Sequence, residues 1–456
     1  MKKVVILIFT ALFFIATKDV FAMDNVYSLN KNKDERFVMM KNSYNEKHNV
    51  DGIVAGGSYR KAEIELNDEK YEDYQVMLVK YNKNGNVIWN YTYGKTSKDK
   101  LDYLTYSYDS DSNVDGYIVV LKNTYDIDQP IEDKPSLTTI LKVGLDGKLV
   151  WEKSANLNKK ETITKIIPTY NAENKVEGYV AIGTITNEGI EDTALIVKYD
   201  NEFNIVWEKE YKNPDYTKTS YTDIVNLYED NKVIGYITIR LQTNDNKTKQ
   251  TDLIRFNLDG NEEKNIDNTL NKYESINLQE ANNGFILYGK TSDIKLKKGT
   301  ITYFILKYSI NDTEEWETIG DIELDTKGKV IVNPEKNAEK ITGYNLLCSN
   351  KENASFHVVK IDEEGNIKRK IKKITNEYYD IEDYIINTDT IFFVGQIICP
   401  EDDNCEYDTN SLFLVSDEDK VIEVEDKQSA NVMIFICVFI IGCVSIAFYR
   451  RKKVMN

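Results

Sequence analysis

The sequence predicts an all-β fold: a seven-bladed β-propeller with four antiparallel strands per blade. Three observations carry this: one phrase is written seven times, its period lies in the fifties, and the period leaves little room for helix. The copies are KYNKNGNVIW (80–89), KVGLDGKLVW (142–151), KYDNEFNIVW (198–207), RFNLDGNEEK (255–264), KYSINDTEEW (307–316), KIDEEGNIKR (360–369) and a worn LVSDEDKVIE (414–423). Their first residues, Lys80, Lys142, Lys198, Arg255, Lys307, Lys360 and Leu414, stand 52 to 62 residues apart. A fixed period of that size marks a repeat architecture.

Each period reads as four strands. The phrase is a hairpin: an apolar run such as YQVMLVKY (74–81), a tight turn on Asn-Gly or Asp-Gly, then VIWNYTY (87–93). Gly85, Gly147, Gly260 and Gly365 occupy the turn position that needs positive φ, which glycine adopts at little cost. Asp312 and Asp419 replace it in two copies, and at Phe203 the loop is expected to bend differently. Upstream, a second apolar run opens with Gly and a bulky residue, as in DGYIVVLK and EGYVAIGT, and before it comes a mixed strand such as YTDIVNLYE (221–229). Nearly continuous apolar runs belong to strands covered on both faces. Four-stranded units of this length, repeated from about Arg36 to Glu425, are propeller blades. Immunoglobulin-like sandwiches need about 100 residues each and do not fit the period.

The ends differ from the middle. Lys2 and Lys3, the apolar run Val4–Ala16 and Val20-Phe21-Ala22 form the pattern of a secretory signal, so residues 1–22 are expected to be removed. Residues 430–449 hold twenty residues without a charge and precede Arg450, Arg451, Lys452 and Lys453. That is the expectation of one transmembrane helix with a cytoplasmic basic tail, 450–456, and an extracellular domain, 23–429, in a single-pass bacterial cell-membrane protein. The chain is formally −17 although both ends are basic. An extracellular part so acidic argues against nucleic acid and against anionic lipid surfaces.

Gly followed four residues later by Trp, after an acidic or Asn-rich turn, resembles the tryptophan-docking repeat of the PQQ-like (quinoprotein) propellers. Gly85/Trp89 and Gly147/Trp151 match both positions, Trp207 and Trp316 match the Trp alone, and Lys264, Arg369 and Glu423 stand in its place elsewhere. The resemblance implies that Trp89, Trp151, Trp207 and Trp316 are structural, packing one blade on the next. Enzymes of that family hold their cofactor against adjacent cysteines, and this chain has no Cys-Cys, so no cofactor is expected.

Catalytic residue types are sparse. There are two histidines, His48 and His357, and His357 in FHVVK is read as a packed strand residue. The loop DSDSNVDGY places Asp109, Asp111, Asn113 and Asp115 in alternation, as in oxygen-ligand calcium loops, but lacks the glycine and glutamate of an EF-hand and matches NAENKVEGY in the next period. A solvated turn is favoured over a metal site. Cys399 and Cys405 have the spacing to close a small disulfide loop, and Cys348 is read as a packed apolar residue.

Function in propellers belongs to loops. The long second-to-third-strand connections are expected at 60–73, 124–135 and 399–410, on adjacent blades. They gather Glu63, Glu65, Asp68, Glu69, Asp126, Asp128, Glu132, Asp133, Glu401, Asp402 and Asp403 among Tyr71, Tyr74, Tyr125 and Tyr407. Carboxylates set among tyrosines suit a basic protein, a cationic glycan or a metal-bridged ligand, and suit an anionic polymer badly. The reading is a non-catalytic binding or scaffolding module for an envelope or extracellular protein or glycan. The second reading is a carbohydrate-active enzyme using a carboxylate pair.

Overall fold

The computed structural model describes residues 25–26 and 35–417, apart from 67–68, 96–98, 124–136, 155–160, 187–191, 247, 268, 293–299, 338–339, 351–354, 375–377, 388–389 and 399–410. Six blades are each built from four consecutive antiparallel strands. Blade 1 is β2 (Glu35–Tyr44), β3 (Val50–Leu66), β4 (Glu69–Asn82) and β5 (Val87–Tyr93). Blade 2 is β6 (Asp99–Tyr108), β7 (Val114–Asn123), β8 (Leu137–Gly144) and β9 (Leu149–Ser154). Blade 3 is β10 (Glu161–Tyr170), β11 (Val176–Ile185), β12 (Thr193–Asp200) and β13 (Ile205–Tyr211). Blade 4 is β14 (Lys218–Glu229), β15 (Lys232–Thr243), β16 (Lys249–Asn257) and β17 (Glu262–Asp267). Blade 5 is β18 (Tyr273–Ala281), β19 (Gly284–Ser292), β20 (Ile301–Ser309) and β21 (Glu314–Ile319). Blade 6 is β22 (Val330–Asn337), β23 (Lys340–Asn350), β24 (Ser355–Asp362) and β25 (Ile367–Ile374).

The expectation of seven sequential blades ending near Glu425 is corrected to six. The ring is completed by a composite sheet: β26 (Tyr378–Asn387), β27 (Thr390–Ile398) and β28 (Ser411–Asp417), closed on its outer edge by β1 (Asn25–Val26). Asn25 pairs with Phe413 and Val26 with Leu412. An early and a late segment of the chain thus share one ladder, which holds the ring shut and covers an edge that a strand from residues after Asp417 was expected to cover. The other part of the expected fold is the transmembrane helix at 430–449. Among the described residues no helix is long and apolar enough to cross a membrane, and 430–449 lies outside them.

The core is shared between neighbours. Leu78 of blade 1 packs with Leu104 and Val119 of blade 2, and Phe285 of blade 5 packs with Leu227 and Ile237 of blade 4. Phe392 and Val394 of the closing sheet join Phe37 and Tyr81 of blade 1. The bulky residue after the opening glycine of each second strand fills these junctions: Tyr117, Tyr179, Tyr236, Phe285 and Tyr344 are all buried. The glycine before it is required by crowding. A Cβ on Gly178 would stand 2.0 Å from the Tyr199 carbonyl oxygen, and one on Gly284 2.1 Å from that of Tyr308.

The repeated turn is a single hydrogen-bonded loop. In residues 82–86 the Gly85 amide donates to the Asn82 carbonyl and the Asn82 amide donates to the Asn86 carbonyl, 3.0 and 2.9 Å. The Asn82 side chain accepts from the amides of Asn84 and Asn86. The same frame recurs at 200–204, 257–261, 309–313 and 362–366, and also between first and second strands at 45–49, 109–113 and 171–175. Its fourth residue has positive φ in every case, including Phe203 at 58° and Asp312 at 61°. The expectation that Phe203 bends the loop differently is therefore corrected. The cost of a left-handed aromatic residue is offset by burial: its ring lies 4.9 Å from that of Trp151, 4.8 Å from Tyr179 and 5.4 Å from Tyr199.

That fourth position is where one blade leans on the next. Trp89 covers Gly147, Trp207 covers Gly260 and Trp316 covers Gly365; a Cβ on any of these glycines would come within 2.6 Å of the indole. Trp89 Nε1 donates to the Leu145 carbonyl at 2.9 Å and Trp316 Nε1 to that of Glu363 at 3.0 Å. Between blades 4 and 5 the chemistry changes and the contact persists. Lys264 stands in the tryptophan's place and pairs with Asp312 at 3.2 Å, while Arg255 donates to the Ile310 carbonyl at 2.8 Å.

Trp151→Ala is expected to lower unfolding free energy by about 2–3 kcal/mol, below the range for a fully buried indole because Trp151 is half-buried. Urea denaturation showing no change would disprove the docking role. Deleting Asn25 and Val26 should raise hydrogen exchange in Thr390–Ile398 and Ser411–Asp417 first, leaving blades 3 to 5 protected; uniform protection would mean that β1 does not close the ring.

Candidate functional site

The first strands of the sheets stand around a central channel, a cavity of about 750 Å³ lined among others by Lys41, Tyr103, Tyr106, Tyr108, Lys165 and Glu280. Several of these strands carry a bulge at the same height, between Phe37 and Met39, Leu101 and Tyr103, Ile163 and Lys165, Tyr221 and Asp223, and Ile381 and Asp383. Bulges re-aim side chains, and here they gather charge. Lys165 Nζ lies 2.5 Å from Asp223 Oδ1 and 5.8 Å from the centre of the Tyr103 ring. Burial acts to lower the Lys165 ammonium, but Asp223 and Tyr103 outweigh it and leave it raised.

The channel carboxylates are turned onto backbone. Asp223 Oδ2 accepts from the Leu278 amide of blade 5 at 2.7 Å, and its Oδ1 from the Ile224 amide at 2.8 Å. Asp383 repeats the device at the ring's closure, accepting from Met40 of blade 1 at 2.9 Å and from Tyr384 at 2.8 Å. Burial pushes the Asp383 carboxyl up, opposed by Lys41 and the two amides.

At one end the channel opens through tyrosines. Tyr44, Tyr108, Tyr170 and Tyr228 hold equivalent places at the ends of the first strands of blades 1 to 4, each paired with the residue two before the opening glycine of the second strand. The Tyr106 ring packs edge-on against Tyr44 at 5.6 Å and Tyr108 at 6.3 Å. The Tyr108 and Tyr170 phenols are close enough to act on each other's ionisation. Tyr228 Oη donates to Glu280 Oε1 at 3.5 Å, and Asn226 Nδ2 to the same oxygen at 3.4 Å and to the Pro168 carbonyl at 3.0 Å. Asn226 Oδ1 is buried without a hydrogen-bond partner. Burial first, then neighbouring tyrosines and Glu280, raises the phenols of Tyr108, Tyr170 and Tyr228. A cavity of about 340 Å³ lies here, lined by Tyr170, Tyr228, Glu280, Asn174, Asn282 and Lys336.

This mouth was not among the residues singled out from the sequence. Its signal is the recurring SYN (43–45), SYD (107–109) and TYN (169–171), one period apart. It lies on the face that carries the first-to-second and third-to-fourth turns, because first and third strands run in the same direction. The described second-to-third connections lie on the opposite face, where the acidic patch is expected. Of that patch, Asp68, Tyr125, Asp126, Asp128, Glu132, Asp133, Glu401, Asp402, Asp403 and Tyr407 lie outside the described residues. The stretch 60–73 differs from the expected loop. β3 and β4 stay paired through Glu63↔Glu72, Ile64↔Tyr71, Glu65↔Lys70 and Leu66↔Glu69, so Glu63, Glu65, Glu69 and Tyr71 belong to a projecting hairpin. Glu63 is exposed.

The loop at 109–115 is structural. Asp109 Oδ1 accepts from the amides of Asp111 and Asn113, both at 2.9 Å, as the asparagine does in the other turns. Asp115 accepts from Ser107 and pairs with Lys142 at 2.7 Å. Asp51–Lys80 and Glu177–Lys198 are the same pair in blades 1 and 3, which explains the acid before the glycine and the lysine that opens the phrase. Among the described residues no group of three or more His, Cys, Asp or Glu is placed to hold a metal. Cys348 is buried and free, and burial pushes its thiol up. Cys399 and Cys405 lie outside the described residues.

No protein-family model and no curated protein sequence matches the chain. The quinoprotein resemblance therefore stands on the docking pattern alone. Solved structures similar to it include cobalt-substituted apocarotenoid oxygenase of Synechocystis (11% identity, TM-score 0.48, 88% of this chain and 93% of that one). Another is an α-L-arabinofuranosidase from Fusarium graminearum (13% identity, TM-score 0.42, 70% and 94%). A third is the Nup133 β-propeller domain of Vanderwaltozyma polyspora (8% identity, TM-score 0.40, 86% and 100%). At these values the likeness carries no argument about activity.

His357 provides a pH probe of the fold. Burial, then Lys372, pushes its imidazole down to about 4, with Asp321 opposing. Above pH ~6.5 the residue is neutral in both folded and unfolded chains; below it the unfolded chain takes up the proton first. Stability is therefore expected to fall between pH ~6.5 and ~4 by up to about 3 kcal/mol, and His357→Gln should flatten that part of the profile. Identical profiles would show that the imidazole is not desolvated.

Proposed function

We propose that the protein is a non-catalytic binding or scaffolding module that takes its ligand at the tyrosine-lined mouth of the channel. The observation that carries this reading is the mouth itself: phenols from adjacent blades, one carboxylate and several asparagines converge on an open cavity of about 340 Å³. Concave sites with aromatic walls and a few convergent polar groups are where small ligands bind. The alternative, a carbohydrate-active enzyme with a carboxylate pair, is disfavoured at the channel carboxylates. Asp223 and Asp383 already accept backbone amides, and Asp223 is bound by Lys165 as well. A place at the cell surface, facing an envelope protein or glycan, is supported by the leader-like residues 1–22.

The test uses immobilised full-length protein exposed to separated envelope glycans and envelope proteins. Tyr170→Ala combined with Tyr228→Ala should lower retention by about tenfold or more, a loss of ~1.4 kcal/mol, with melting largely preserved. Undiminished retention moves the site away from the channel, and release of shortened glycan establishes catalysis instead.

A further inference from the structure

We infer that the mouth of the channel is a site for an organic ammonium group, seated against the rings of Tyr108, Tyr170 and Tyr228 and neutralising Glu280. The inference rests on the binding-module reading and names the ligand chemistry of that site. Glu280 is half-buried on the inner strand of blade 5 and has no ion-pair partner among the described residues. Its hydrogen bonds from Asn226 and Tyr228 are long, at 3.4 and 3.5 Å. A carboxylate has about four acceptor positions, and two such long bonds leave it room for a further partner from the cavity.

The surroundings favour a cation over any other occupant. Glu280 and Tyr170 line both the channel and the smaller cavity at its mouth, with Tyr108 on the channel side and Tyr228 on the cavity side, so three rings flank one negative charge. Aromatic faces attract cations, alkylammonium groups most effectively because their methyl or methylene surface also covers the rings. An anion in the cavity would meet Glu280, and among the described residues that line it the exposed Lys336 is the one cation in its favour. The cavity volume of about 340 Å³ admits a small headgroup. Both a quaternary ammonium of the choline type and a primary amine of the amino-sugar type present this chemistry.

The experiment is calorimetric titration of purified full-length protein with choline, with ethanolamine and with 3,3-dimethyl-1-butanol, the uncharged counterpart of choline. One or both amines should bind, with the alcohol at least about tenfold weaker. A preference for choline assigns the quaternary source, and a preference for ethanolamine the primary one. Glu280→Gln should weaken the better amine by about tenfold, Tyr228→Leu by a few-fold, and Tyr170→Phe, which keeps the ring, by less than Tyr170→Leu. Equal binding of the alcohol, undiminished binding by the Glu280→Gln variant, or no amine binding at all overturns the inference. If envelope material is still retained at the mouth when no amine binds, only the ammonium inference falls. If neither is bound, the binding-module reading falls with it.

Discussion

The structure depends on one contact, the docking of an outer-strand side chain onto the fourth residue of the next blade's turn. That residue must have positive φ for the turn to close, and it must leave room for its neighbour. Glycine meets both demands under Trp89, Trp207 and Trp316. Where glycine is absent the partner changes with it. Phe203 keeps the left-handed backbone and stacks on Trp151, and Asp312 keeps it and takes Lys264 and Arg255. What the ring requires at this place is a favourable contact at a set distance, and aromatic stacking, indole over glycine and an ion pair each supply one.

Because each blade leans on the next, the junctions at the end of the series matter most. The apolar clusters run unbroken from blade to blade, and Phe392 and Val394 carry them across to blade 1. Hydrogen bonding then secures what packing begins: β1 completes the last sheet, and Asp383 holds the Met40 amide across the same junction. Asp223 does the equivalent between blades 4 and 5. Such buried carboxylates are satisfied by amides and contribute to holding the inner strands at a fixed separation, which in turn sets the width of the channel.

The channel mouth inherits its chemistry from the repeat. A tyrosine at the end of the first strand recurs in blades 1 to 4 and gives way to Lys336 in blade 6, while Glu280 of blade 5 stands at the register of Asn226. The ring is therefore asymmetric at its mouth although its architecture is regular. One side offers aromatic surface and the other offers charge. This is the kind of departure from internal symmetry in which a binding site is built on a repeated scaffold.

The sequence by itself determined the strand content, the four-strand period and, apart from Phe203, the turn chemistry, and its resemblance to the tryptophan-docking repeat implied the tryptophans' role. These rest on local rules: alternation and apolar runs for strands, Asn/Asp with a left-handed fourth residue for turns, and a fixed offset from turn to Trp. It also pointed to Asp109 and Asp115 without showing that one caps its own turn and the other pairs with Lys142. Only the tertiary structure decided how the ring closes, since the pairing of Val26 with Leu412 joins residues that no local pattern relates. The same holds for the mouth. Tyr108, Tyr170, Tyr228 and Glu280 are more than fifty residues apart in steps along the chain, and they meet because every first strand points down one axis. Periodicity fixes what each blade is made of; closure of the ring, a long-range packing and hydrogen-bonding event, fixes which side chains share a space.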